Sequence, residues 1–111
     1  MTVSTSHCSP LTSEPFGEQR AAELAPVFKA MGDPVRLRLL SLIASHQGGE
    51  ACVCELTGVF DLSGPTISHH LKVPREAGLI TGERRGTWVY DRVVPGRFAQ
   101  VSTLLDLTPT T

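Results

Sequence analysis

Two proline-led helix starts constrain this chain more than any other feature. Gly32-Asp33-Pro34 is a stop followed by a restart, and Leu62-Ser63-Gly64-Pro65 is a second start. In each, a short polar side chain can accept a backbone N–H at the helix N-cap. Proline follows where its missing N–H costs nothing. These marks divide the chain into short helices. The spacing of Leu24, Val27, Phe28 and Met31 predicts a helix over about 17–31, with Pro26 expected to bend it or mark its true start. The next helix runs from Pro34 to about His46. Leu39, Leu40, Leu42 and Ile43 point inward, Arg36 and Arg38 face water, and Gly48-Gly49 ends it. A short helix is expected at roughly Cys52–Phe60, with Leu56, Val59 and Phe60 as its apolar side. Ser63 caps another that reaches Ala77, with Ile67 and Leu71 inward and Gly78 as its C-terminal stop.

Residues 79–84 and 87–93 are rich in β-formers around Arg84-Arg85-Gly86, which reads as a hairpin with a basic tip. Pro95 opens a last helix with Phe98, Val101 and Leu105 on one stripe. A short helix, a turn and a second helix are the parts of a helix-turn-helix, and a following hairpin with Arg at its tip is a wing. The expected fold is mainly α with a β-hairpin (α+β), a winged helix-turn-helix. Residues 1–17, rich in Ser, Thr, Pro and Gly, are expected to form a flexible arm. Residues 18–106 form the folded domain and 107–111 a tail.

A chain of 111 residues that is 41% hydrophobic can build one modest core. No run of 18 apolar residues is present, so no membrane span or membrane partner is expected. With no signal-like N-terminus either, the expected location is cytoplasmic. The net charge of −1 excludes a chain that coats polyanions along its whole length. The charge is divided, however. Residues 1–61 hold four basic and seven acidic side chains, whereas residues 62–97 hold six basic and three acidic ones. A basic segment in a neutral chain is suited to phosphate. Three cysteines, two of them at Cys52 and Cys54, do not suit a disulfide-stapled secreted fold. They read as metal ligands, redox groups or buried thiols.

The stretches FKAMGDPVRLRLL (28–40), EACVCEL (50–56), LSGPTISHHLKVPREAGLI (62–80) and RRGTWVYDRV (84–93) carry a resemblance to the ArsR/SmtB family of bacterial metal-responsive repressors. The resemblance implies a homodimer that represses an operon and leaves its DNA when a thiophilic ion binds. Helix 64–77 would be the recognition helix, with Thr66, Ser68, His69, His70 and Lys72 as polar candidates. Ser63 at its start, Arg75 near its end, and Arg84 and Arg85 on the wing complete the implied DNA-binding set. Hydroxyls and imidazoles meet base edges and phosphates, and wing arginines give salt-sensitive affinity. The partner is double-stranded operator DNA, an imperfect palindrome read by a two-fold dimer.

The sequence departs from the family at two positions. Gly64 stands where Gln is frequent, which removes a contact. Pro74 stands where Leu is usual, on the inward face seven residues after Ile67. A proline inside a helix costs roughly 3 kcal/mol or more, so a kink or an early end is expected there.

Cys52-Val53-Cys54 is similar to the CVC signature of the family's arsenic and cadmium/lead sensors. Residues i and i+2 of a regular helix point about 200° apart. Gripping one ion with both thiolates is therefore expected to strain or unwind the helix start and move the recognition helix. The helix N-terminus favours thiolate. One branch of the family has a further Cys where Thr57 stands, and another completes the site from an N-terminal arm, where Cys8 lies here. Cys52, Cys54 and Cys8 as three thiolates suit As(III) or Sb(III). Four sulfurs suit Cd(II), and Cd(II) or Pb(II) is the alternative effector. If Cys8 does not reach, a small thiol or water is the third ligand. The family's other site, built of Asp, His and Glu on C-terminal helices, has no counterpart, because residues 95–111 hold no His and only Asp106. His69 and His70 point in different directions and do not suit a shared metal.

No organic cofactor is expected. A C-x-C can exchange disulfides, but no phosphate loop or acid/base pair accompanies it, so an enzyme is not expected. Two rivals share the fold: a redox sensor in which Cys52 or Cys54 pairs with Cys8, and a DNA-binding module without an effector. The dimer interface is expected from Leu24, Val27, Phe28 and Met31 with Phe98, Val101 and Leu105, some of which must serve the core instead.

Overall fold

Local punctuation sets the helices. The computed structural model describes residues 15–106. Helix α1 spans Glu18–Met31 and α2 spans Pro34–Ser45. Asp33 caps α2, its carboxylate accepting the Val35 and Arg36 N–H groups at 3.0 Å each. These backbone bonds, led by that of Arg36, hold the Asp33 carboxyl below its ordinary range. Pro26 lies inside α1 and does not mark its start. Arg36 does not face water as expected. Its guanidinium donates to the Ala30 and Lys29 carbonyls at 2.8 and 2.9 Å. At the end of α1 the Lys29 carbonyl has only the Gly32 N–H of the cap, at 3.2 Å, and an arginine three residues into the next helix donates to both it and the Ala30 carbonyl.

A 3₁₀ turn at Gln47–Gly49 leads to strand β1, Glu50–Cys52. Helix α3 is a single turn, Val53–Leu56, rather than the helix of 52–60 that the apolar pattern suggests. Cys52 has extended dihedrals (φ −77°, ψ 145°) because it ends a strand paired to the wing. Helix α4 spans Gly64–Glu76, with Ser63 as its N-cap accepting the Thr66 N–H at 3.3 Å. It neither stops nor breaks at Pro74. The proline sits in the last turn, where few bonds remain to be lost. Its ring is buried and its carbonyl accepts the Leu79 N–H at 3.0 Å.

Gly78, at φ 77°, turns the chain from α4 into β2, Ile80–Arg85. The two-residue turn Gly86-Thr87 joins it to β3, Trp88–Val93, in the register Arg85↔Trp88 and Ile80↔Val93. Gly86 takes φ 64°, the left-handed geometry that tight hairpins require. Strand β1 pairs antiparallel with β3, giving a three-stranded sheet in the order β1-β3-β2. Helix α5, Pro95–Leu105, closes the described chain. The core gathers Val27, Leu39, Ile43, Leu56, Ile67, Leu71, Leu79 and Ile80 from all these layers. The architecture is a winged helix-turn-helix, with α3 and α4 as the motif and β2–β3 as the wing.

Candidate functional site

Two features meet at the junction of β1 and α3. The first is a sulfur pair. Cys52 is buried and Cys54 exposed. Their Cα atoms lie 5.1 Å apart and their sulfurs are joined as a disulfide. The expected geometry of two side chains about 200° apart on a helix does not arise, because only Cys54 is helical. An extended residue followed by a helical turn brings both sulfurs to one side. The sulfurs therefore meet without unwinding α3, and the expected strain has no basis. Cys52 also acts as N-cap. Its Sγ accepts the Cys54 N–H at 3.2 Å, while Glu55 Oε1 accepts the Cys52 N–H at 2.8 Å. The disulfide joins these two residues to each other, not to Cys8 as the redox alternative supposes. Cys8 lies outside the described residues.

A polar cleft of about 370 Å³, lined by His46, Gln47, Glu50, Cys52, Cys54, Glu55 and Tyr90, opens on this turn. His46 Nε2 stands 3.7 Å from Glu55 Oε2, and its Nδ1 faces the Leu42 carbonyl at 2.7 Å.

The second feature is a guanidinium network on the wing. Glu50, two residues before Cys52, receives two bonds from Arg85 at 3.0 and 2.9 Å and two from Arg92, from Nη2 at 2.9 Å and Nε at 3.2 Å. The Arg85 bonds first, and those of Arg92 next, lower the Glu50 carboxyl from 4.5 to about 2. The same pairing with Glu50, joined by Glu83, raises Arg85. Arg85 also lies 4.5 Å over the Tyr90 ring, and Tyr90 faces Cys52 across the sheet. The sulfur pair and the wing tip are therefore joined by a strand pairing and a carboxylate bridge.

On α4, Ser63, Thr66, His69 and Lys72 are exposed, while Ser68 and His70 are half-buried. Thr66, His69 and Lys72 recur every three residues, roughly opposite the buried stripe of Ile67, Leu71 and Pro74. Arg84 is exposed and makes no ion pair or side-chain hydrogen bond among the described residues. The other two arginines of the expected DNA-binding set are engaged within the chain, Arg85 as above and Arg75 with Asp91. Arg75 Nε and Nη2 donate to the two Asp91 oxygens at 2.7 and 2.8 Å, which raises the Arg75 pKa. This pair ties the end of α4 to the middle of β3.

Of the expected interface residues, Leu24, Val27 and Val101 are buried within the chain, and Met31 and Phe98 pack partly against the same core. Phe28 and Leu105 are exposed. Glu50, Asp91 and Trp88 escape the sequence reading. Asp91 carried a usable signal: it shares the period-two phase of Val89 and Val93, so its carboxylate needs a buried basic partner.

The family described as "Bacterial regulatory protein, arsR family" matches residues 33–81. The arsenic resistance transcriptional regulators ArsR1 and ArsR2 of Pseudomonas putida are 48% and 43% identical to this chain. ArsR1 matches over 73% of this chain and 62% of its own length, and ArsR2 over 74% and 70%. A cadmium resistance regulatory protein homolog, CadC, of Staphylococcus aureus is 32% identical over 68% of this chain and 60% of its own. The fold is similar to the homodimeric winged helix-turn-helix domain of a possible ArsR-family regulator from Mycobacterium bovis. That likeness has a TM-score of 0.64 at 27% identity, covering 84% of this chain and 90% of that one. The cap-and-proline grammar, the α3–α4 motif with its wing and these relatives converge: the chain belongs to the ArsR family of transcriptional regulators.

Proposed function

We propose that the protein is a repressor that binds operator DNA as a homodimer and releases it when As(III) or Sb(III) is held by reduced Cys52 and Cys54. The observation that carries this reading is the meeting of the two sulfurs at the β1–α3 junction. Soft thiolates at one point suit a thiophilic trivalent ion, and the exposure of Cys54 admits it. Cys8, from residues outside those described, is the proposed third ligand. The effector supplies only the bonds that hold the sulfurs. Everything downstream belongs to the chain. The Cys52 sulfur is also the N-cap acceptor of α3, so an ion held there is joined directly to the first half of the helix-turn-helix. Cys52 pairs with Tyr90, so a shift at β1 reaches the wing as well. On DNA, Thr66, Ser68, His69, His70 and Lys72 of α4 face the major groove from their Ser63 cap, and Arg84 reaches phosphate. Arg75 and Arg85 act by holding the helix and the wing in place.

The test is operator binding by fluorescence anisotropy under reducing conditions, for the wild type, Cys8→Ser and the Cys52→Ser/Cys54→Ser double variant. Release by As(III) that vanishes in the double variant is the expected result. A Cys8→Ser protein that still responds assigns the third position to solvent or a small thiol. Release by Cd(II) or Pb(II) alone transfers the site to those ions. A wild type indifferent to all of them removes the effector reading.

The disulfide between Cys52 and Cys54 favours one second reading, a thiol redox sensor on the same fold. It requires DNA release by peroxide without metal, lost in either single Cys→Ser variant.

A further inference from the structure

We propose that the cleft between the first turn of α4 and the wing turn holds a stretch of DNA sugar–phosphate backbone, with Trp88 as the residue that packs on its deoxyriboses. The inference rests on the reading that α4 lies in the major groove, and it adds the strand that borders that groove. Neighbouring grooves of a duplex are separated by one sugar–phosphate strand. A helix seated in the major groove and a wing beside it stand on either side of that strand. A concavity between the two elements is where the strand passes. The chain has one of about 360 Å³, lined in part by Thr57, Gly64, Ser68, Thr87, Trp88 and Val89.

The surroundings of this cleft suit such an occupant. Its borders are cationic. Lys72 lies one helical turn beyond Ser68, and Arg84 is the cross-strand partner of Val89. Both are exposed, and neither makes an ion pair or side-chain hydrogen bond among the described residues. Its wall is apolar and flat. Trp88 is 54% exposed, although an indole ordinarily hides most of its surface. A deoxyribose presents carbon-bound hydrogens, which an indole face covers without leaving a polar group unpaired. Its rim carries unspent hydroxyls. Ser68 and Thr87 make no side-chain hydrogen bond among the described residues, so both can donate to phosphate oxygens.

Gly64 keeps the cleft open. A Cβ built there meets nothing within 4 Å, so the protein itself does not fill the space. A first helical turn without a side chain lets a backbone come close. The contact is independent of sequence, because every nucleotide brings the same sugar. It positions α4 over the bases and leaves their reading to the polar side chains of that helix.

The experiment uses the reduced full chain and two duplexes of equal length. One is selected by the protein from a random-sequence pool, and the other is an unselected sequence. Trp88 is the single tryptophan, so its emission reports the contact directly and needs no variant. Either bound duplex is expected to abolish most of the acrylamide quenching of Trp88. Trp88→Ala is expected to weaken both duplexes about tenfold, the order of one lost apolar contact. It should not move the slope of log affinity against log salt, since no charge is removed. Trp88→Phe keeps a flat ring and should recover most of the loss. Gly64→Leu fills the cleft and should weaken both duplexes as well. Neither residue belongs to the core, so urea midpoints should be unchanged, which separates a lost contact from a loosened fold. If Trp88 is quenched in the complex as in the free protein, the cleft holds no strand and the proposal fails. It fails equally if Trp88→Ala and Gly64→Leu bind both duplexes as the wild type does, or lose affinity for the selected duplex alone. If the wild type binds neither duplex, the operator-binding reading itself fails.

Discussion

Asp91 is the only buried charged side chain among the described residues. A carboxylate removed from water must be fully paired, and Arg75 supplies both partners in a fork-to-fork contact. Deleting one partner strands the other, at a cost of about 3–5 kcal/mol when the charge is buried. Arg75→Ala, which strands the fully buried Asp91 carboxylate, is therefore expected to lose stability of that order in urea unfolding. Asp91→Ala should lose less, because the Arg75 guanidinium it leaves is partly exposed and can be hydrated. This decides how Arg75 is to be tested. A fall in DNA affinity on its removal reflects a loosened α4–wing joint, unless the variant's unfolding midpoint is unchanged. Cys52 illustrates a related point. Its side chain is at once the α3 cap and half of the sulfur pair, so Cys52→Ser, which keeps a hydroxyl acceptor, separates the two roles better than Cys52→Ala.

At the level of elements, the best-marked segments were the helices that announce themselves by caps. Asp33-Pro34, Ser63-Gly64-Pro65, Gly78 and Pro95 all fall within a residue or two of real boundaries. Ser63→Ala is expected to cost about 1 kcal/mol, readable as a lower thermal midpoint. Strand β1 was illegible, because three residues are too few to show a period of two and its partner lies some 40 positions on. Without β1, the sequence puts Cys52 on a helix and its sulfur far from that of Cys54, whereas the strand gives Cys52 extended dihedrals and brings the two sulfurs together. Pro74 misled for the opposite reason: a strong local rule met a position in the last helical turn, where burial of the ring outweighs it. The joint that β1 makes with the wing has a measurable signature. Glu50 is held at about 2, below its ordinary 4.5, by Arg85 and Arg92. A lowered carboxyl pKa stabilises the fold fully above the unfolded value and loses that contribution as the pH falls through the folded one. The Glu50 contribution should therefore be constant above pH 4.5 and fade between there and about 2. Wild type and Glu50→Gln, compared by urea midpoint across this range, should differ at neutral pH and converge at the acid end. Parallel curves would exclude the bridge as a stabilising link.

For the molecule as a whole, the question is how a chain of net charge −1 holds DNA. The basic segment 62–97 looked sufficient as a count, but the structure uses much of it internally. Arg75 serves Asp91, and Arg85 and Arg92 serve Glu50. On the face made by α4 and the wing, Lys72 and Arg84 remain as exposed cations. Two cations per chain give weak, poorly oriented binding. A two-fold dimer doubles them and sets two recognition helices against two half-sites. Phe28 on α1 and Leu105 on α5 are exposed apolar side chains left over once the core is filled, and they are where such a dimer should close. Phe28→Asp/Leu105→Asp is expected to sediment as a monomer with its helical content intact. The charge count then gives a second readout. Four neutralised phosphates per dimer predict a slope of roughly −4 for log affinity against log salt, and half of that for the monomeric variant. Lys72→Ala/Arg84→Ala should flatten the dimer's slope without altering its sedimentation. A slope far steeper than −4 would mean that cations now paired within the chain, Arg85 foremost, leave their carboxylates to reach DNA.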